Sequence, residues 1–232
     1  MRDWQRYLAE VFGTFTLVFV GATTVVGFGA SAAPFGFGIG LLAALYAFGE
    51  ISGGHFNPAV SLAMFLDRRL GGGDLLRYWG SQLVGGILGA LALLLMTSSK
   101  IVADAATVPG ARGDRPAFFA ELFLTAVFVL VILQVTKSKG YGSTAYLAIA
   151  LTLLAIHFAA VPFSGSSVNP ARTIATALVG NRWTAIWIYL IAPPLGAVLG
   201  WAIHAVVVKG STNLRGDLDR LRTDAGGGQA ST

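Results

Sequence analysis

The sequence predicts an all-α membrane protein with six transmembrane helices and two re-entrant half-helices, arranged as an inverted repeat. Three observations support this prediction: the composition, six long apolar stretches, and two motifs that recur at nearly one spacing. Hydrophobic residues make up 55% of the 232 positions and charged residues 12%, whereas soluble domains are about a quarter charged. The mean hydropathy of +0.70 agrees with a lipid bilayer as the solvent.

Six apolar stretches are candidate membrane spans, since a helical span needs about 20 mostly apolar residues. They lie at about 7–28, 35–48, 75–96, 118–135, 146–161 and 185–208. The first stretch has an alternative interpretation as a secretory signal, because Arg2 and Arg6 precede it and Ala30-Ser31-Ala32 resembles a cleavage site. Two features favour a membrane span over a secretory signal. Glu10 lies at the head of the apolar run, and a second copy of this stretch occurs later in the chain.

Two separate matches divide the chain into halves. Segment 8–12 matches segment 119–123, 111 positions later, and segment 52–59 matches segment 164–171, 112 positions later. We predict a first repeat over 1–112, a second over 113–210, and a disordered tail over 211–232. Each half holds three spans, an odd number, so the second half enters the membrane upside down. Repeats of this kind place a functional site at the bilayer midplane, where the halves meet.

The basic residues predict the orientation of the chain. With both termini in the cytoplasm, 11 of the 16 Lys and Arg residues lie on the inner side, and the others are Lys100, Arg112, Arg115, Arg172 and Arg182. This bias fits the positive-inside rule and predicts a multi-pass protein of the cell (plasma) membrane. The net charge of +5 thus reflects topology, and we expect no nucleic-acid partner.

Two helices are predicted to begin where loops would be expected. Asn57 precedes Pro58, and Asn169 precedes Pro170; Asn is a strong helix N-cap and Pro favours the first helical position. The runs 57–66 and 169–179 are about 15 Å long as helices, or half a bilayer. Irregular backbone at membrane depth requires protein or a wet cavity around it, which predicts half-helices meeting tip to tip.

Several chemistries are excluded by the composition. The chain has no cysteine, so disulfides, zinc–thiolate sites and cysteine nucleophiles are absent. The three histidines, at positions 55, 157 and 204, lack metal-ligand spacing. A catalytic acid pair would have to be Glu10 with Glu121, which we interpret instead as buried structural acids that accept from loop N–H groups. We therefore predict no enzyme activity, no metal and no cofactor.

The sequence resembles the aquaporins, of the major intrinsic protein family. The resemblance covers about residues 5–208 and rests on His55-Phe56-Asn57-Pro58-Ala59-Val60, on Ser167-Val168-Asn169-Pro170-Ala171-Arg172, and on Glu10 with Glu121. It implies six tilted helices, two half-helices, one pore per chain and a homotetramer in the lipid bilayer. It also implies a passive channel for water that excludes ions and protons.

The resemblance also supplies an outer constriction, or selectivity filter. Counting from the two Asn-Pro-Ala motifs places it at Phe37, His157, Ser166 and Arg172. It implies that Arg172 repels cations, that His157 and Phe37 narrow the passage, and that Ser166 contributes a backbone carbonyl. At the centre, each capping Asn is expected to accept from its own helix and to leave its NH₂ free to donate to water.

Two alternative functions and the role of Glu50 stay open at this point. Glycerol facilitators typically carry Asp after the Arg of the second motif, where this chain has Thr173, and they have a wider constriction than His157 would allow. An alternating-access transporter also uses inverted repeats and broken helices, but would be expected to need an ion or proton site at depth. Finally, Glu50 is a solvated charge, a partner of an Arg, or a pH-sensitive gate, and we favour the solvated charge.

Overall fold

Six long helices cross the molecule, in a computed structural model that describes residues 2–137 and 142–210. All six are long and apolar enough to span a membrane. They are α1 (Asp3–Phe28), α2 (Ala33–Ser52), α4 (Gly72–Met96), α6 (Asp114–Val135), α7 (Ser143–Ser164) and α9 (Ile186–Ile203). The six predicted spans are confirmed, and most of the helices begin several residues before the apolar stretches.

Two short helices follow the Asn-Pro pairs: α3 (Pro58–Leu66) and α8 (Pro170–Gly180). In each, the predicted Asn is the N-cap and Pro opens the first turn. The second half-helix ends one residue later than the predicted 169–179, because Asn181 adopts a left-handed conformation (φ 49°) that terminates it. The predicted tail, 211–232, lies outside the described residues.

A third short helix, α5 (Ser99–Asp104), was not predicted. It begins at Ser98, whose hydroxyl caps the N–H of Ile101. Ser99 Oγ donates to the carbonyl of Val179 at 2.9 Å, so α5 is fixed against the end of α8. The predicted boundary between the repeats, at residue 112, falls in the loop between α5 and α6.

The helices pack in the same way in the two predicted halves. In the first half α1 packs on α2 and α4, and in the second half α6 packs in the same way on α7 and α9. Each half-helix packs mainly on the third span of the opposite half, α3 on α9 and α8 on α4. The two half-helices are therefore held between the halves, where the repeat places the site.

Glycines allow the closest helix approaches. A Cβ at Gly85 would overlap the carbonyl of Val11, and one at Gly89 would lie 2.9 Å from the carbonyl oxygen of Phe15. The second half repeats the arrangement with Gly196 and Gly200 against α6. Small residues let helix backbones approach closely in lipid, where packing replaces the hydrophobic drive.

Candidate pore

Both half-helices begin at a buried asparagine. Asn57 Oδ1 accepts from the N–H of Ala59 at 2.9 Å, and Asn169 Oδ1 accepts from those of Ala171 at 3.0 Å and Arg172 at 3.3 Å. Each asparagine has an extended backbone, as an N-cap requires. The N-cap roles expected of the two Asn-Pro-Ala motifs are therefore present in the structure.

The two asparagine NH₂ groups also link the halves. Asn57 Nδ2 donates to the carbonyl of Val168 at 2.7 Å, and Asn169 Nδ2 donates to that of Phe56 at 2.9 Å. The expectation that each NH₂ is wholly free was wrong, because one of its two N–H bonds ties down the opposite loop. The second N–H of each group remains for the lumen.

Buried carboxylates hold the loops that lead into the half-helices. Glu10 accepts from the backbone N–H groups of His55 (3.0 Å) and Phe56 (2.7 Å) and from the hydroxyl of Ser52 (2.6 Å). Phe56 has a φ of 48°, a region that non-glycine residues seldom occupy. The carboxylate satisfies N–H groups that would otherwise be unpaired at membrane depth.

Glu121 does the same in the second half. It accepts from the N–H groups of Ser167 (2.8 Å) and Val168 (2.7 Å) and from the hydroxyl of Ser164 (2.7 Å). Val168 has a φ of 46°, matching Phe56. The two acids therefore occupy equivalent positions, as the repeat predicts.

The two halves differ in one further group of polar side chains, which sequence reasoning missed. In the first half, Gln82 donates to Glu10 at 2.7 Å and to Ser61 at 2.8 Å. In the second half, Thr107 and Thr173 form a hydrogen bond at 2.8 Å instead. A glutamine inside an apolar stretch was the only sequence signal for the first of these contacts.

A narrow cavity connects the asparagines to three of the four predicted filter residues. Its wall includes Asn57, Asn169, Phe37, His157 and Arg172. The volume that the centre of a water molecule can occupy in this cavity is about 10 Å³, which is roughly the room for one water molecule. The remaining wall residues are His55 and Ser167, which belong to the two quoted motifs, and four apolar residues that sequence reasoning did not single out: Leu17, Leu41, Phe128 and Leu153.

Phe37 contacts two of the other predicted filter residues. Its ring stacks on the imidazole of His157, with centroids 4.9 Å apart and an interplanar angle of 25°. The guanidinium carbon of Arg172 lies 4.6 Å from the centroid of the same ring, within the range of a cation–π contact. One aromatic side chain from α2 thus contacts a residue of α7 and a residue of α8.

Arg172 and His157 each form a hydrogen bond with the protein and keep a nitrogen that forms none within the described residues. Arg172 NH1 donates to the carbonyl of Ala105 at 3.0 Å, and its Nε has no partner in the described part of the chain. His157 Nδ1 lies 3.0 Å from the carbonyl of Leu153, and a carbonyl can only accept, so Nδ1 carries the proton. In a neutral imidazole, Nε2 is then an acceptor, and it is also unpartnered within the described residues.

Ser166 does not join the other three residues in the cavity wall. It is fully buried with a φ of 54°, and its N–H donates to Ser164 Oγ at 3.2 Å. Ser167, its neighbour, lines the cavity instead. The carbonyl role assigned to Ser166 stays a prediction. Glu50 is exposed at the end of α2, as expected for a solvated charge.

Comparison with protein families matches residues 1–204 to the family described as "Major intrinsic protein". The chain belongs to the major intrinsic protein family. Family members are passive channels, which confirms the expectation that this chain is not an enzyme. No group of three or more metal-ligating side chains lies together within residues 2–137 and 142–210.

The curated relatives have two kinds of name. Aquaporin Z of Photorhabdus laumondii is 35% identical over 224 residues, covering 88% of this chain and 97% of that protein. Glycerol uptake facilitator protein-like 6 of Lactiplantibacillus plantarum is 39% identical over 205 residues, covering 84% and 94%. Family membership is therefore certain from these matches, while the permeant must be argued from the pore.

A solved structure confirms the fold. The X-ray structure of the aquaglyceroporin from Plasmodium falciparum superposes with a TM-score of 0.82, covering 91% of this chain and 99% of that one. At 22% sequence identity, it supports the architecture of six spans with re-entrant half-helices and carries no information on the permeant here.

Proposed function

We propose that this chain is a passive water channel that follows osmotic gradients and excludes ions and protons. The observation that carries the proposal is the close contact of Phe37, His157 and Arg172 in one narrow cavity. The volume that the centre of a water molecule can occupy in this cavity is about 10 Å³. Room for about one water molecule favours water over a three-carbon polyol. Arg172 Nε and His157 Nε2 would supply a donor and an acceptor to the passing molecule.

Ions would be rejected by fixed positive charge. Each half-helix N-terminus carries roughly half an elementary positive charge, and both face the cavity at Asn57 and Asn169. Arg172 adds a full charge that is 2% exposed. A cation that crosses the pore would therefore meet three like-signed groups in a low-dielectric wall, as is general for pores of the aquaporin type.

Protons would be stopped by the orientation of water. The remaining N–H of each asparagine is free to donate to the oxygen of a water at the midplane. A water that accepts from both asparagines must point its hydrogens outward, and it cannot accept from a neighbouring water. The chain of hydrogen bonds along which a proton would hop is interrupted there.

The proposal includes the setting of the channel: a homotetramer in the cell (plasma) membrane, with both termini cytoplasmic and the repeats divided near residue 112. The basic residues support this orientation. Arg6 and Arg77 both bind Asp74, at 3.2 and 3.5 Å. Arg69 donates to the carbonyl of Thr136 at 3.1 Å, at the end of α6. These arginines therefore surround the helix ends that the charge bias assigns to the cytoplasm.

A glycerol facilitator is the second candidate, because the Lactiplantibacillus plantarum relative with that name is 39% identical. Two features weigh against it. His157 occupies the constriction, and Thr173 follows Arg172 where glycerol facilitators typically carry Asp. The hydroxyl of Thr173 is already hydrogen-bonded to the hydroxyls of Ser167 and Thr107.

Stopped-flow light scattering on proteoliposomes separates the two candidates. We expect the protein to raise osmotic water permeability well above that of protein-free vesicles, while glycerol entry stays near the level of bare lipid. Glycerol entry that rises in proportion to the protein content would establish the facilitator instead. The two gradients are applied to one liposome preparation, so that the amount of inserted protein is common to both.

A further inference from the structure

We propose that an apolar groove on the outside of the helix bundle, between α4 and α9, binds the end of a lipid acyl chain at the bilayer midplane. The groove lies behind the two half-helices, separate from the pore, and its volume is about 210 Å³. Pro58 and Pro170 form its floor, one residue from the asparagines that line the pore. No function described above uses this groove.

The depth of the groove follows from the inverted repeat. Its lining residues pair at the repeat offset of 111 or 112 positions: Pro58 with Pro170, Leu62 with Ile174, and Trp79 with Leu190. Leu83 and Pro194 pair in the same way. A surface built equally from both inverted halves lies on their two-fold axis, and that axis runs in the membrane plane at its midplane.

The chemistry of the groove selects hydrocarbon. Every side chain that lines it is apolar or aromatic. The indole N–H of Trp79 is the one side-chain polar group among them, and it donates to the carbonyl of Pro58 at 3.1 Å. No side-chain donor is left for water or for a lipid headgroup, and headgroups lie about 15 Å from the midplane. The terminal methylenes of an acyl chain are the apolar groups present at this depth.

An occupied groove would protect the half-helix starts. The backbone around Pro58 and Pro170 leaves the regular helical pattern at membrane depth, where unpaired groups are tolerated only if shielded by protein or facing a wet cavity. The pore wets one side of these starts. Hydrocarbon in the groove keeps the other side dry and confines water to the pore.

The test uses the fluorescence of Trp79 in proteoliposomes of phosphatidylcholine brominated at defined depths. The other tryptophans, Trp4, Trp183, Trp187 and Trp201, are replaced by Phe, and the variant is required to keep wild-type water permeability. Because the groove lies at the midplane, bromines near the terminal methyl should quench Trp79 about twofold more than bromines near the headgroup. In that background, Leu83→Phe should fill the groove and remove about half of the chain-end quenching.

Two further variants make the result decisive. Leu88→Phe is the matched control, since Leu88 is on α4 but outside the groove, and it should leave quenching unchanged. Ile174→Phe fills the groove from the opposite side and replaces Leu83→Phe if that variant fails to fold.

Three outcomes would overturn the proposal. Quenching unaffected by either filling variant would mean that Trp79 meets only bulk lipid. Absence of quenching by any brominated lipid would mean that protein covers the groove, such as a second copy of this chain. Strong quenching by aqueous acrylamide would mean that the groove is wet.

Discussion

Phe37 is the residue on which the proposed constriction depends, because its ring contacts both His157 and Arg172. Removing Phe37 together with His157 therefore widens the passage without touching the half-helices. We expect Phe37→Ala with His157→Ala to admit glycerol and urea, while protons stay largely excluded by the dipoles at Asn57 and Asn169. Solute entry and proton leak would be followed on the same liposomes. A double variant that still rejects glycerol would show that these two rings do not form the constriction.

Arg172 tests the electrostatic part of the barrier separately from the steric part. Arg172→Val removes the full positive charge of the constriction, so we expect cation or proton leak to rise even if glycerol entry changes little. Arg172→Lys keeps the charge and should keep the leak low, although it loses the planar guanidinium that lies over Phe37. Leak is measured as dissipation of an imposed pH or potassium gradient. Equal leak in wild type and the valine variant would assign exclusion to the half-helix dipoles alone.

At the scale of helix pairs, Gly21 determines where Phe37 sits. A Cβ at position 21 of α1 would overlap the Phe37 ring, whereas a Cβ at Gly27 on the same helix would meet no atom within 4 Å. We expect Gly21→Ala to push the ring toward the cavity, to lower water permeability, and to cost about 1–3 kcal/mol through overpacking. Gly27→Ala should leave permeability unchanged. Water permeability per inserted protein, compared between the two variants, is the measurement, and equal values would contradict the positioning role of Gly21.

The loops before the half-helices depend on the two buried acids to different degrees. Both oxygens of Glu10 accept from two donors each, whereas one oxygen of Glu121 accepts only from Val168. A glutamine NH₂ cannot accept, and each buried donor left unpaired costs about 1–3 kcal/mol. We therefore expect Glu10→Gln to lower the thermal unfolding temperature in detergent more than Glu121→Gln.

The matched control for that pair is Glu50→Gln, which alters an exposed acid and should leave the unfolding temperature unchanged. If Glu121→Gln lowered the unfolding temperature more than Glu10→Gln, the number of donors bound to each acid would not explain the stability of the variants.

The sequence predicted those elements whose signals are local. Asn57 and Asn169 identify the half-helices because an N-cap and a following proline act within one turn. The contact of Gln82 with Glu10 joins positions 72 apart, and a glutamine inside an apolar stretch indicates a polar contact without naming its partner. The six-residue helix α5 was missed because a segment this short carries no periodicity. The hydrogen bond from each asparagine NH₂ to the loop of the opposite half was missed because the accepting carbonyl lies 111 or 113 positions away.

At the scale of the whole molecule, the inverted repeat explains why the pore needs no moving part. Both halves use the same scheme: an acid that holds a loop, an asparagine that caps a half-helix, and an amide that ties down the opposite loop. The two amide bonds cross between the halves and fix the two half-helix starts against each other. The central claim, passive conduction through a preformed pore, follows from this rigidity.

The temperature dependence of osmotic water permeability tests that claim most directly. It is measured by stopped-flow light scattering on proteoliposomes, with protein-free vesicles of the same lipid as the control. A preformed pore requires no large conformational step, so we predict a low activation energy, near that of the diffusion of water in bulk. An activation energy as high as that of the protein-free bilayer would contradict conduction through this pore.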